Sequence, residues 1–204
     1  MKPPSDHDRR PAQGLRERKK ARTRADIQRH ALRLFREQGY DATTVEQIAE
    51  AAEVSPSTFF RYFPTKEDVV LYDALDPVLF AAFKAQPPGL SPIQAMRGAV
   101  RALFAALPES DLTEQRDRGA LIFAVPELRM RVLDQIVSSF DLFAEIVAAR
   151  VARPADDPDV RIFVGALFGA LVAVLLPAAV EDPEVDYQEL IDAALAQLEA
   201  GLPL

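Results

Sequence analysis

Residues 43–66 read TTVEQIAEAAEVSPSTFFRYFPTK, from Thr43 to Lys66. Val45, Ile48, Ala49 and Ala52 stand at i, i+3, i+4 and i+7, which gives a short first helix one apolar face. Thr43 pairs with Glu46, and Thr44 with Gln47, at capping-box spacing, so either threonine can open that helix. Glu53 and Val54 interrupt it. Ser55 then supplies a second N-cap, and Pro56 takes the first helical position, where its missing N–H costs nothing. In this second helix only Val54, Phe59 and Phe63 are expected to be buried, which leaves Ser57, Thr58, Phe60, Arg61 and Tyr62 facing outward. Two short helices with a polar and aromatic outer face on the second fit a helix-turn-helix, whose second helix enters the DNA major groove.

The charge distribution supports that reading where the total does not. The chain of 204 residues has a net charge of −7, yet residues 1–66 hold 14 Lys and Arg against 9 Asp and Glu, net +5. The remaining residues hold 10 and 22, net −12. A basic module on an acidic body is the asymmetry of a small DNA-binding domain joined to an effector domain. The run Arg16 to Arg24 carries most of the basic excess, and Arg22 and Arg24 are the candidates for phosphate or minor-groove contact by an arm leading into the first helix.

No alternating strand pattern occurs, and apolar residues recur at helical period between prolines, so the fold is expected to be all-α with about nine helices. Residues 1–15 read as a disordered tail, 16–64 as the helix-turn-helix domain and 65–204 as a ligand-binding and dimerisation domain. The first helix is expected to bury Ile27, Ala31, Leu34 and Phe35 and to end at Gly39 in a left-handed cap. A helix beginning at Lys66 runs on with a kink at Asp76-Pro77, and further helices fall near 92–106, 111–124, 126–152, 158–180 and 186–200.

With no cysteine, disulfides, Cys-ligated zinc and thiol nucleophiles are excluded, and His7 and His30 form no metal cluster. The absence of a phosphate loop and of Glu-x-x-His pairs argues against an enzyme, and no cofactor is expected. The N-terminus lacks an apolar core for a secretory signal, so the expected location is cytoplasmic. Residues 162–180, IFVGALFGALVAVLLPAAV, are uncharged and long enough to cross a bilayer. Pro177, the Ala and Gly content and the acids at 181 and 182 instead favour a helix buried between a core and a partner subunit. Gly165 and Gly169 allow close helix approach there, with Phe168 and Val172 beside them as dimer-interface candidates. A membrane-associated or protein-binding helical module is the alternative reading.

The run from Arg16 to Val70 resembles the N-terminal domain of TetR-family transcriptional regulators. The matching features are the basic lead into helix one, Phe35…Gly39-Tyr40, Thr43-Thr44-Val45 with Ile48-Ala49, and Phe59-Phe60-Arg61-Tyr62-Phe63-Pro64-Thr65-Lys66-Glu67. The resemblance implies a homodimeric, ligand-responsive regulator, most often a repressor, released from a pseudo-palindromic operator by a small-molecule effector. It implies DNA contacts at Thr43, Thr44, Pro56, Ser57, Thr58, Phe60 and Tyr62, with a phosphate contact at Lys66; the N-cap Ser55 joins them. Phe60 stands where many members have Tyr, so it offers only apolar contact, for example to a thymine methyl. Further on, Arg118…Leu121-Ile122…Pro126-Glu127-Leu128-Arg129 is similar to a subgroup, regulators of the mycofactocin type included, whose effectors are acyl-CoA-like. Candidate pocket residues are Phe83, Met96, Val100, Phe104, Phe123, Met130 and Phe140 as apolar walls, with Arg118, Arg97 or Arg101 for an anionic group.

Overall fold

The computed structural model describes residues 10–181 and 185–203, and among these every regular element is helical. The first four helices are α1 (Arg10–Gln38), α2 (Val45–Ala51), α3 (Pro56–Tyr62) and α4 (Lys66–Leu71). They are followed by α5 (Asp76–Ala85), α6 (Pro92–Ala106), α7 (Glu109–Ala124), α8 (Pro126–Val151), α9 (Pro158–Glu181) and α10 (Tyr187–Glu199). The chain forms two compact units that divide between Val70 and Leu71.

The first unit closes over a small core of Ile27, Ala31, Leu32, Phe35, Tyr40, Ile48, Ala49, Phe59, Phe63, Val69 and Val70. Leu32 takes the buried place expected for Leu34, which is only half-buried. Gly39 ends α1 at φ 91°, a conformation that a Cβ disfavours, and its N–H donates to the Phe35 carbonyl at 2.9 Å. The turn between α2 and α3 is built the same way without a glycine. Glu53 sits at φ 54°, its N–H reaches the Glu50 carbonyl at 3.0 Å, and the Val54 N–H reaches Ala49 at 2.9 Å. That crossed pair of bonds is a Schellman cap.

Three boundaries differ from expectation. The helix begins at Arg10, so residues 10–15, expected as tail, belong to α1; residues 1–9 lie outside the described residues. The first unit extends to Val70 rather than 64, because Val69 and Val70 are buried and the Val69 carbonyl accepts from the buried Gln28 amide at 2.8 Å. The expected single helix from Lys66 is two helices, making ten among the described residues. Its break at 72–75 is fixed by the Asp73 carboxylate, which accepts from the Leu75 N–H at 2.8 Å, and by Pro77 in the first turn of α5.

In the second unit α6 packs on α5 and α10, and α9 packs on α7, α8 and α10. Ser91 opens α6 with a full capping box to Gln94, and Pro126 opens α8. The core joins Phe83, Met96, Ala99 and Val100 to Phe143, Val147, Val164, Leu167 and Leu195. Burying each large side chain stabilises by about 1.5–3 kcal/mol. Arg97 ties α6 to α10, bonding Asp192 at 2.9 and 3.0 Å and Glu199 at 2.6 Å. Those bonds push its guanidinium further up and hold Asp192 below the usual carboxylate range.

α9 is long and apolar enough to cross a membrane, by length and composition. Only 17% of its most apolar stretch is buried. Val160, Val164 and Leu167 face the core, whereas Ile162, Ala166, Gly169, Ala173 and Pro177 are exposed and share the opposite side at helical spacing.

Candidate nucleic-acid interface and ligand cavity

α3 has seven residues, about 10 Å of helix, which is too short to be stable alone and matches the width of a major groove. Its two ends and one face hold it. Ser55 Oγ accepts from the Thr58 N–H at 3.1 Å, and it lies 2.9 Å from Ser57 Oγ and 3.0 Å from Thr58 Oγ1. Phe59 and Phe63 are 0% and 2% exposed, with ring centroids 6.0 Å apart, and they fix the rotation of the helix about its axis. That rotation leaves Pro56, Ser57, Phe60 and Arg61 exposed and Thr58 and Tyr62 half-buried. Phe60 is 50% exposed and rests edge-on against Phe59 at 5.5 Å.

Thr43 and Thr44 are separated by the structure. Thr44 is the N-cap of α2: it accepts from the Gln47 N–H at 3.3 Å, and Gln47 Oε1 accepts from the Thr44 N–H at 2.9 Å. Thr43 is 1% exposed; its hydroxyl donates to the Gly39 carbonyl at 2.7 Å and accepts from Gln38 at 3.1 Å. Contrary to expectation, Thr43 is not placed to contact DNA, since it is buried and its hydroxyl both donates and accepts inside the fold.

Lys66 has a double role. Its Nζ donates to the carbonyls of Tyr40 at 2.8 Å and Thr43 at 3.2 Å, and sits 4.1 Å from the Tyr40 ring centre. Two of its three protons thus close the loop before α2. Arg24 is part of the scaffold rather than a free arm. It donates to the Tyr62 carbonyl at 3.4 Å and lies over the Tyr62 and Phe63 rings at 6.0 and 5.7 Å, a cation at the carbonyl end of α3. Arg22 is exposed, 3.9 Å from Asp26. The scaffold roles of Lys66 and Arg24 have no sequence signal beyond their charge.

Among the described residues, the second unit encloses a cavity of about 420 Å³ and another of about 220 Å³. Of the candidate pocket residues, Val100, Phe104 and Phe123 line the larger, Met96 the smaller, and Arg118 both. The other three candidates are elsewhere. Phe83 is packed in the core, Met130 is a surface residue at 62% exposure, and Phe140 stacks on Phe168 at 5.0 Å. Phe168 in turn lines the smaller cavity and packs on Phe143, so of the dimer-interface candidates it points inward; Gly169 is open to solvent, and Gly165 and Val172 are half-buried. Arg97 is committed to α10 and Arg101 is exposed.

Asp76, expected only as the site of a kink with Pro77, and Asp73, which no motif singles out, line both cavities. Arg118 binds Asp73 through its guanidinium and donates to the Tyr72 carbonyl at 3.3 Å and Gln115 at 3.0 Å. Burial, and then the charge of Asp73, push the Asp76 carboxyl up to about 6, with Arg118 pulling the other way. Gly119 admits Tyr187 to the larger cavity wall: a Cβ there would stand 2.9 Å from the Tyr187 hydroxyl, whose pKa burial raises. Two acids three residues apart at the start of an apolar segment were the available signal for this corner.

Residues 27–72 match the family of bacterial regulatory proteins named for tetR, and residues 90–203 match the MftR C-terminal domain. The chain is 43% identical to the HTH-type transcriptional regulator TcmR of Streptomyces glaucescens over 171 residues, 79% of this chain and 75% of that one. It is 28% identical to the mycofactocin biosynthesis transcriptional regulator MftR of Mycobacterium tuberculosis, across 91% and 93% of the two chains. In space it is similar to FadR of Thermus thermophilus, a TetR-family repressor solved with lauroyl-CoA, at a TM-score of 0.58 and 26% identity, covering 89% of this chain and 95% of that one. With the reading helix, the helical body and both halves of the sequence accounted for by one kind of protein, the chain belongs to the TetR family of bacterial transcriptional regulators.

Proposed function

We propose that this regulator is a cytoplasmic homodimeric repressor that binds a pseudo-palindromic operator and leaves it when a small molecule enters the body. The observation that carries the DNA half is the exposed pair Ser57 and Phe60, with the half-buried Thr58 beside them, held at one rotation by the buried pair Phe59 and Phe63. Two such helices reach successive major grooves when spaced one DNA turn apart, about 34–36 Å. Ser57 and Thr58 offer hydroxyls to base edges and Phe60 an apolar surface to a thymine methyl. Pro56, Ser55, Thr44, Tyr62, Arg22 and Lys66 lie along the phosphate-facing margins, where contacts set register without reading sequence.

The exposed side of α9, from Ile162 through Gly169 to Pro177, supports the dimer, because an uncharged helix face of that length is costly to leave in water. A cavity of about 420 Å³ supports the effector step, being within the range that encloses a small ligand. α4 offers a route between the two events: Lys66 at its start holds the loop before α2, and Leu71 at its end lines the smaller cavity. A ligand acts through it only by preferring the DNA-incompetent arrangement by a few kcal/mol.

The apolar walls would accept the acyl chain expected from the mycofactocin-type resemblance, as in the neighbour solved with lauroyl-CoA. A gel shift on the chain's own upstream DNA, with and without lauroyl-CoA, tests both steps. A shift at nanomolar dimer concentration is expected. Equal affinity for random DNA at about 0.15 M salt would remove the operator reading.

A further inference from the structure

The two cavities share five wall residues: Asp73, Asp76, Leu79, Arg118 and Ile122. They are therefore two lobes that meet at a polar waist. Beyond the waist the walls are mostly apolar, with Phe80 and Phe143 in the smaller lobe and Phe104 and Phe123 in the larger, where Glu109, Arg116 and Asp186 add charge. At the waist, Arg118 is engaged with Asp73, the Tyr72 carbonyl and Gln115. Asp76 is different. Its carboxyl lines both lobes and has no hydrogen-bond partner among the described residues.

We propose that Asp76 is the acceptor by which this regulator recognises its effector, and that the part of the effector inside the cavity is largely apolar, neutral or cationic, and presents a hydrogen-bond donor at the waist. This rests on the reading of the second unit as an effector domain. A partly desolvated carboxylate with no donor is unfavourable, and a ligand N–H or O–H supplies what the protein withholds. An acid at the first position of α5 also suits the helix dipole, which explains a negative charge there. It does not explain why the carboxyl lines the cavity beside a second acid. The upward shift of Asp76 has the same origin, since burial is its largest cause.

The charge of the wall sets the sign of the ligand. Asp73, Asp76, Glu109 and Asp186 face the larger lobe against Arg116 and Arg118. A ligand with a carboxylate or phosphate would bring negative charge into a wall where acids outnumber arginines two to one, and at the waist the guanidinium already holds Asp73. At the waist this disfavours an anionic group and favours a donor.

Three anthracenes that differ only at the 9-position provide the test: aminomethyl (cationic), hydroxymethyl (neutral donor) and carboxylate (anionic). Their fluorescence reports binding to the full-length protein at pH 7.5 without DNA. The expected order of affinity is amine, then alcohol, then carboxylate, with at least tenfold between the first and last. Asp76→Asn is expected to shrink that ratio below threefold, and Asp76→Glu to restore its direction; unchanged operator binding by both variants shows that they are folded. Carboxylate binding as tight as amine binding overturns the proposal, as does an order indifferent to Asp76→Asn or the absence of saturable binding by all three. A gel shift with each probe separates this result from the effector reading. Asp76-dependent binding that leaves the operator complex intact supports the site and removes the release step.

Discussion

Asp76 has a measurable effect on stability whatever it binds. Its carboxyl titrates at about pH 6 in the folded chain against 3.8 for an unperturbed aspartate. Below about pH 4 both states hold the proton and the group contributes nothing. Between the two values the folded state keeps a proton that the unfolded state has lost, so stability falls as pH rises, and above about 6 the full penalty is present. The carboxyl remains partly open to solvent, which limits that penalty to about 1–2 kcal/mol, and the helix dipole returns a few tenths. Urea unfolding of Asp76→Asn against the parent is expected to show the variant gaining about 1 kcal/mol between about pH 4 and pH 7. A gap that stays constant with pH would mean Asp76 is solvated like any surface acid. Lys66 and Phe60 divide in the opposite way. Lys66→Ala removes two charge-assisted bonds to carbonyls, worth about 1.5–3 kcal/mol each, and should lower the urea midpoint as well as operator affinity. Phe60→Ala should leave stability within about 0.5 kcal/mol and weaken the operator relative to random DNA. At this scale the sequence was legible where a residue type has one use, as with Ser55, Pro56 and Gly39. It was ambiguous for the pair of threonines, because capping-box spacing fits both. What buries Thr43 is the hydroxyl-to-carbonyl bond with Gly39, which no local pattern announces.

The helices differ in how much of their surroundings they carry in their own pattern. α6 alternates faces cleanly, and its buried set from Ile93 to Leu103 follows the helical period. α9 carries no such signal, since an all-apolar sequence has no contrast between inside and outside. Hence the helix was legible and its faces were not: Phe168 turned out to look inward at the cavity, and Ile162, Ala166 and Ala173 outward. The cavity was legible for the same reason only in part, as its walls come from turns of α5, α7 and α10 that are distant in sequence. For the dimer, the outward face makes a specific expectation. Nothing lies within 4 Å of a Cβ at Gly169, so Gly169→Arg leaves the protomer's own packing intact. Sedimentation is expected to show a folded monomer with much reduced operator affinity, because one reading head loses its linked partner. A stable dimer of this variant would place the interface elsewhere.

Along the chain, basic and acidic charge are kept apart. The basic excess lies before residue 67 and the acidic excess after it, so raising salt should act on one half alone. With about three or four phosphate contacts per subunit, operator affinity is expected to fall about 10³-fold between about 50 and 200 mM NaCl. The affinity of the anthracene alcohol, a neutral ligand, should change less than twofold. Parallel salt slopes for the two would contradict a division of labour between the units. The domain order and helix count were nearly complete from sequence, since caps and prolines mark ends by local chemistry. The boundary at Val70 was not, because it depends on the buried Gln28 amide, 41 residues back along the chain from Val69.

The turn before α3 leaves the protein a reserve of a different kind. Glu53 holds a left-handed conformation that suits glycine, as does Ala152 at the end of α8. Glu53→Gly is expected to raise the urea midpoint by about 0.5–1 kcal/mol of stability, as relief of backbone strain outweighs the added freedom of the unfolded chain. Most substitutions that alter what α3 reads will cost stability in a helix of seven residues. Selection for a new operator should therefore begin from Glu53→Gly, whose margin lets more of those variants stay folded long enough to be tested.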